Sequence, residues 1–297
     1  MTVPPAAGPA HPDASAVGRG QPRARGRRAE SRGAPWPLAV PAAAALAFLV
    51  LPLVGLLVRA PWRSLPTLLG QTSVRQALVL SLETASAATG VSLLVGVPLA
   101  WVLARARLPA RSVFQALVTL PLVLPPVVGG VALLLVLGRN GILGRYLDTW
   151  FGITLPFTTA GVVVAETFVA MPFLIVSVEG ALVAADRRYE DAAATLGAGR
   201  WLTFRRVTLP MIAPAVAAGA VLSWARALGE FGATITFAGN FPGTTQTMPL
   251  AVYLALETDP DAAIALSLLL LAVCVTVLIG LRQRWLPGTR SGAAPTV

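Results

Sequence analysis

The stretch from Asp186 to Pro210 reads DRRYEDAAATLGAGRWLTFRRVTLP and separates two long apolar segments. Its alanine-rich run has a high helix propensity, and Asp186 is suited to cap the first turn of that helix. Gly197 is placed to end the helix in a left-handed conformation. An amphipathic turn follows, and Leu209-Pro210 opens the next apolar segment. The pattern predicts a short, rigid helical elbow between two longer helices.

The rest of the chain is strongly apolar. Of its 297 residues 56% are hydrophobic and only 12% are charged, against about 25% charged residues in a typical soluble domain. A helix needs about 20 apolar residues to cross a bilayer. The segments of that length are 37–58, 76–104, 113–137, 159–178, 211–228 and 262–281. We therefore expect an all-α membrane protein with six transmembrane helices.

Two of the six segments are irregular. Prolines and glycines interrupt 113–137 between Pro121 and Gly130, and 211–228 runs into the polar stretch from Arg226 to Glu230. The apolar piece that follows, Phe231–Gly239, is too short to cross a membrane. We expect it to be re-entrant or half-buried and to line the protein interior, because irregular backbone at membrane depth needs such shelter.

The arginines give the orientation. With the N-terminus inside, 17 arginines fall in inside segments and 5 in outside segments. Because cytoplasmic loops carry an excess of basic residues, both termini and the elbow are predicted to be cytoplasmic. Residues 1–35 are rich in Pro, Gly, Ala and Arg, which predicts a disordered tail attracted to anionic lipid. No aromatic residue accompanies its arginines, so we expect no nucleic-acid binding.

Missing residue types exclude several enzyme classes. All 23 basic residues are arginines, so the chain has neither the Walker A lysine of a P-loop ATPase nor a Schiff-base lysine. His11 is the sole histidine and Cys274 the sole cysteine, so we expect no metal site, no internal disulfide and no cofactor. A membrane-embedded enzyme would need a set of catalytic groups that the predicted spans lack.

The elbow resembles the EAA motif of ABC-importer permeases, whose pattern is E-A-A-x3-G-x9-I-x-L-P. Asp191-Ala192-Ala193 is followed after three residues by Gly197 and after nine more by Val207-Thr208-Leu209-Pro210. Asp191 replaces the glutamate of the motif and Val207 its isoleucine. In the family this loop docks on a separate ATPase subunit, so the resemblance implies a non-catalytic permease. The implied coupling residues are Glu190, Asp191, Ala192, Ala193, Gly197, Trp201, Phe204, Leu209 and Pro210.

Two further stretches are similar to the molybdate branch of these permeases, within a resemblance that covers residues 70–285. They read LPLVLPPVVGG at 120–130 and RALGEFGATITFAGNFPGTTQTMPL at 226–250. The branch implies the type I ABC-importer permease fold in a bacterial cell membrane. It also implies ATP-driven import of molybdate, with a cytoplasmic ABC ATPase and an extracytoplasmic molybdate-binding protein as partners. Importers of sulfate, thiosulfate or tungstate remain alternatives, as does an ion-coupled secondary transporter.

Charged residues within the spans are functional candidates by default, because their insertion is costly. Arg226 and Glu230 are four residues apart and are expected to pair on one helical face, either as a structural lock or at a gate. Glu83 and Glu166 are expected to bond to other helices, since an acid would repel an oxyanion, and Glu179 is expected to be solvated. The residues proposed for the translocation path or gate are Arg226, Glu230, Thr234, Thr236 and Asn240.

One elbow per chain favours a homodimer, because a pair of ATPase subunits offers two docking sites and two-fold closure is the commonest symmetry. A heterodimer with a related permease is the alternative. The predicted organisation is a tail at 1–35, a first transmembrane helix and outer loop at 36–69, and a transport domain at 70–285. That domain contains the coupling loop 184–210 and precedes a cytoplasmic tail at 286–297.

Overall fold

The apolar segments form helices in the computed structural model, which describes residues 36–106 and 109–285. The predicted tails at 1–35 and 286–297 lie outside the described residues. The described ranges contain helices and turns but no strand, as expected for an all-α protein. The helices are α1 (Trp36–Val58), α2 (Leu65–Leu69), α3 (Thr72–Val91), α4 (Val97–Arg105), α5 (Arg111–Val123), α6 (Pro126–Leu137), α7 (Gly144–Phe151), α8 (Thr159–Ala184), α9 (Arg188–Thr195), α10 (Arg200–Thr203), α11 (Leu209–Leu228), α12 (Gly232–Phe237), α13 (Met248–Thr258) and α14 (Pro260–Trp285).

Within the described residues, five helical stretches are long and apolar enough to cross a membrane, and a bent pair makes six if the pair is counted as one span. The pair is α5 and α6, which meet at an angle of 117°. Leu124 and Pro125 between them have extended backbone, because a proline disfavours helical geometry in the residue before it. The predicted break in segment 113–137 is therefore confirmed, and the described residues agree with the six-segment fold.

The chain divides into two compact units after Pro52. In the first unit, α1 carries Pro41 and Pro52, and its side chains from Pro37 to Pro52 are exposed. Such an exposed apolar helix is suited to contact with lipid.

In the second unit α8 is the central helix. It contacts α3, α4, α5, α11 and α12, and over half of its most apolar stretch is buried. Leu174, Ile175 and Leu182 of α8 form a core with Leu103 and Ile212. Gly219 lets α11 approach closely, because a Cβ atom there would lie 3.3 Å from the Cα of Leu174.

The short helix α12 packs inside the protein against α6 and α8. A Cβ on Gly232 would lie 2.9 Å from the Cβ of Pro126, and a Cβ on Gly130 would clash with the Thr236 side chain. Phe237 is fully buried. The expected half-buried continuation after the fifth span is thus confirmed, and glycines on both helices permit the close approach.

Two of the long helices contain a π-helical turn. Ser92–Gly96 joins α3 to α4, and Phe204–Thr208 joins α10 to α11. Each turn ends two residues before a proline, Pro98 or Pro210. A proline lacks the N–H for the normal helical bond and crowds the carbonyl four residues earlier, and a wider turn relieves both problems.

Candidate functional site: the helical elbow and the break after α11

The elbow begins with α9, whose two ends are set by local hydrogen bonds. The backbone N–H of Arg188 donates to Oδ1 of Asp186 at 2.9 Å, so Asp186 acts one position before the assigned cap, Arg187. At the other end Gly197 has a φ of +83°. Its N–H bonds to the Ala194 carbonyl and that of Ala198 to the Ala193 carbonyl, which is the Schellman pattern. The predicted glycine stop is confirmed.

The second part of the elbow is continuous with the next span. Helical backbone runs from Arg200 to Leu228 through the π-helical turn, so this span does not open at Leu209-Pro210 as the sequence indicated. Pro210 is compatible with this continuity because it lies in the first turn after the wider segment. The second part of the elbow, from Arg200 onwards, is therefore the first part of the same helical stretch as α11, whereas α9 is a separate helix.

Phe204 lies between two tryptophans. Its ring centroid is 6.1 Å from that of Trp101 on α4, edge to face, and 5.8 Å from that of Trp201, stacked. Phe204 thus packs inwards against α4, whereas 72% of Trp201 is exposed. Of the two aromatic coupling residues implied by the sequence, Trp201 is exposed and Phe204 is half-buried.

Glu190 bonds to two other helices through one carboxylate oxygen. Oε1 accepts from Nη2 of Arg105 at 3.1 Å, from Nε of Arg105 at 3.3 Å and from Oγ1 of Thr208 at 3.0 Å. The Arg105 side chain is only 8% exposed, and Thr208 is buried. Charge-assisted bonds of this kind are about twice as strong as neutral ones. These hydrogen bonds of Glu190 connect the elbow to the end of α4 and to the start of α11.

The outer side of the elbow offers a surface for another protein. Large side chains are exposed at Tyr189, Leu196 and Trp201, and small or acidic ones at Asp191 and Ala192. Exposed aromatic groups among small residues are typical of interface anchors. Between this elbow and α4 lies a cleft of about 690 Å³. Its charged lining residues are Arg105, Arg187, Glu190, Asp191 and Arg200.

The second candidate site is the break after α11. Nη2 of Arg226 lies 2.6 Å from Oε2 of Glu230, and the Glu230 side chain is 1% exposed. The expected pairing is confirmed, but not on one continuous helix, because α11 ends at Leu228. Oε1 of Glu230 also accepts from the N–H of Ala233 at 2.7 Å, which caps the start of α12.

Among the neutral polar residues after the break, Thr236 and Thr245 bond within their own segment, whereas Oγ1 of Thr234 and Oδ1 of Asn240 are buried without a hydrogen-bond partner in the described part of the chain. Thr234 is fully buried, and Thr236 donates to the Gly232 carbonyl at 2.7 Å. Asn240 is half-buried. Thr245 accepts from the N–H of Phe241, and the carbonyl of Thr244 accepts from Thr159. These contacts order the segment next to α6 and α8.

The three remaining intramembrane acids differ from one another. Glu166 accepts from Thr84 at 3.0 Å, which confirms the expected bond between helices. Glu179 accepts from Arg111 and Gln115 of α5, so the expectation of a merely solvated carboxylate was wrong. Glu83 is exposed on α3 and bonds to no other helix within the described part of the chain, contrary to expectation.

Sequence reasoning missed Arg105, Thr208 and Trp101. Arg105 and Trp101 are on α4, and Arg105 lies 85 positions from Glu190 along the chain, so no local pattern joins them. Thr208 falls at a variable position of the EAA pattern. Among the described residues, no group of three or more His, Cys, Asp or Glu side chains is placed to hold a metal ion.

Comparisons with known proteins agree with this geometry. The family model for the binding-protein-dependent transport system inner membrane component matches residues 96–286. The molybdenum transport system permease protein ModB of Mycobacterium tuberculosis is 50% identical over 84% of this chain and 94% of that protein. The sulfate transport system permease protein CysT of Escherichia coli is 39% identical over 68% of this chain and 72% of that protein.

Solved structures share the fold. A bacterial ABC transporter involved in the import of alginate has a TM-score of 0.68 and 19% identity, over 86% of this chain and 96% of that one. A bacterial alginate ABC transporter in complex with an alginate pentasaccharide-bound periplasmic protein has a TM-score of 0.66 and 20% identity, over 84% and 92%.

Proposed function

Because the chain belongs to the family of binding-protein-dependent transport system inner membrane components, we propose that it is the permease subunit of an ATP-driven molybdate importer. The observation that supports molybdate as the substrate is the 50% identity to a molybdenum transport permease, which extends over 94% of that protein. Sulfate is the second candidate, supported by 39% identity to a sulfate permease over a smaller share of both chains.

In this proposal the elbow couples transport to a separate cytoplasmic ABC ATPase. The EAA-like spacing, the exposed Tyr189 and Trp201 and the lack of any lysine for a P-loop support an energy source on another chain. The coupling residues are those of the loop 184–210. Both termini are cytoplasmic, a placement supported by the arginine bias.

Substrate reaches the permease from an extracytoplasmic molybdate-binding protein and passes the break after α11. Arg226 is the one arginine inside the six predicted apolar segments, and it is paired with Glu230. A dianion held tightly in the membrane would call for several arginines or helix N-termini. The membrane passage therefore provides weak, transient contacts, with Arg226, Glu230, Thr234, Thr236 and Asn240 as its gate, and the binding protein provides selectivity.

The permease works as a homodimer within the bilayer. One elbow per chain supports this assembly, as does the exposed Glu83 in the middle of an apolar helix. A carboxylate facing lipid is costly, so a second subunit covering that face of α3 would remove the penalty. Within each chain, residues 36–69 form a first helix and outer loop, and residues 70–285 form the transport domain.

Reconstituted vesicles test the proposal. The chain, its ATPase and its binding protein are placed in vesicles, and uptake of labelled molybdate, tungstate and sulfate is followed with ATP and with a non-hydrolysable analogue. We expect molybdate uptake that requires ATP hydrolysis and that excess sulfate barely inhibits. Uptake that persists without ATP and is abolished by an ionophore would show that the chain is a secondary transporter. Preferred uptake of sulfate would contradict molybdate as the substrate.

A further inference from the structure

The coupling helix α9 places no fully buried side chain against the membrane helices. None of its eight residues is buried, although the bundle beside it has a large apolar core. Within the described part of the chain, the bonds of Glu190 to Arg105 and Thr208 are the side-chain hydrogen bonds that join α9 to α4 and to the start of α11.

Adjacent carboxylates on α9 have different surroundings. Glu190 is directed inwards, where its side chain is 18% exposed and bonded, whereas Asp191 is exposed at the surface. A side chain whose oxygen is already occupied within its own chain is poorly suited to bind a partner. Glu190 therefore differs in role from the exposed residues of the same loop.

The two helices that Glu190 contacts share a deformable feature. α4 is preceded by the π-helical turn Ser92–Gly96, and Thr208 is the last residue of the turn that precedes α11. π-helical turns occur frequently at functional sites. Thr208 therefore bonds to Glu190 from the π-helical turn itself, whereas Arg105 bonds to it from the end of α4 that lies opposite its π-helical turn.

We infer that Glu190 is a positioning residue that transmits the movement of α9 to α4 and α11 through Arg105 and Thr208. This inference rests on the proposed function, in which α9 docks on the ATPase. When the ATPase subunits move α9, the ion pair with Arg105 draws the end of α4 along with it, and the hydrogen bond from Thr208 draws the start of α11. The beginning of α11 then shifts the far end of the same helix, where Arg226 and Glu230 close the break.

The contact of Glu190 with Arg105 and Thr208 is polar, and a polar contact can rearrange during a conformational change. A cleft of about 690 Å³ opens beside it, so water can replace a bond that lengthens during the movement. A tightly packed apolar contact would instead resist rearrangement, because packed cores do not deform continuously. The contact of Glu190 with Arg105 and Thr208 can thus transmit a movement of α9 while its own geometry changes.

The test measures molybdate transported per ATP hydrolysed in vesicles that contain the whole importer. For Glu190→Ala and Arg105→Ala we expect the complex with the ATPase to assemble and to hydrolyse ATP. Transport per ATP should fall about tenfold, the size of a typical coupling between two sites. The swap of Glu190→Arg with Arg105→Glu should recover most of that ratio, since the Thr208 hydroxyl can also accept a bond.

Glu179→Gln is the matched control, because Glu179 also forms an ion pair between helices on the predicted cytoplasmic side, with Arg111 at 3.2 Å, but without α9. It should leave the ratio unchanged. Loss of assembly in Glu190→Ala would make Glu190 a docking residue and overturn the inference, as would an unchanged ratio. Wild-type vesicles without ATP-driven uptake would instead refute the proposed function, and this inference with it.

Discussion

Arg226 and Glu230 form an ion pair of 2.6 Å across the break that ends α11, and the same carboxylate caps α12. One side chain thus neutralises a charge at membrane depth and fixes the direction of the next segment. Because a lone charge within a span costs about 2.5–3.5 kcal/mol on insertion scales, each partner should depend on the other.

We therefore expect Arg226→Ala and Glu230→Ala each to reduce folded protein in the membrane, while the double variant recovers much of it. Recovery should be incomplete, since the cap on Ala233 stays lost. Folded protein is measured by thermal stability in detergent and transport by uptake. A double variant that folds well but transports poorly, together with reduced uptake in Arg226→Gln, would assign the pair to the gate.

Gly197→Val is expected to uncouple transport without unfolding the spans. Gly197 has a φ of +83°, where a β-branched residue is strained by about 1–2 kcal/mol. No atom would contact its Cβ, so the strain lies in the backbone alone and misdirects the end of α9. We expect normal insertion, reduced uptake and weaker association with the ATPase.

Gly199→Val is the matched control, because Gly199 has ordinary extended backbone and equally open surroundings. Equal uptake in the two variants would contradict the assigned role of Gly197.

Trp201→Ala should weaken binding of the ATPase subunit by at least about tenfold, as expected for an exposed aromatic anchor that becomes buried at an interface. Binding is measured by titration of the purified permease in detergent. Trp150→Ala is the control, since Trp150 on α7 is 71% exposed, close to the 72% of Trp201, but lies in a predicted outer loop. If both changes weaken binding alike, Trp201 is not the anchor.

Glu83→Leu tests whether a second subunit or lipid covers the face of α3 that carries Glu83. If a second copy covers α3 at this point, the change should shift the permease from dimer to monomer in native mass spectrometry. Removing a carboxylate that faces lipid would instead raise the insertion efficiency and leave the dimer intact. Glu83→Gln, which keeps the shape and a hydrogen-bonding group, should retain more dimer than Glu83→Leu.

The sequence alone was sufficient wherever the cause of the structure is local. Apolar length and helix propensity predicted the spans, the prolines near Pro125 predicted the bend between α5 and α6, and Gly197 predicted the end of α9. The Arg226–Glu230 pair could also be predicted from the sequence, because only four positions separate its members. Each of these features depends on residues within a few turns of one another.

The tertiary structure decided which distant residues meet. It joins Glu190 to Arg105, bonds Glu166 to Thr84 and turns Phe204 inwards against Trp101. Such contacts depend on how helices far apart in the chain pack, and that packing follows from the volume and shape of many side chains together. Helical periodicity indicates that a face is apolar or polar, but it carries no information about which helix will cover that face.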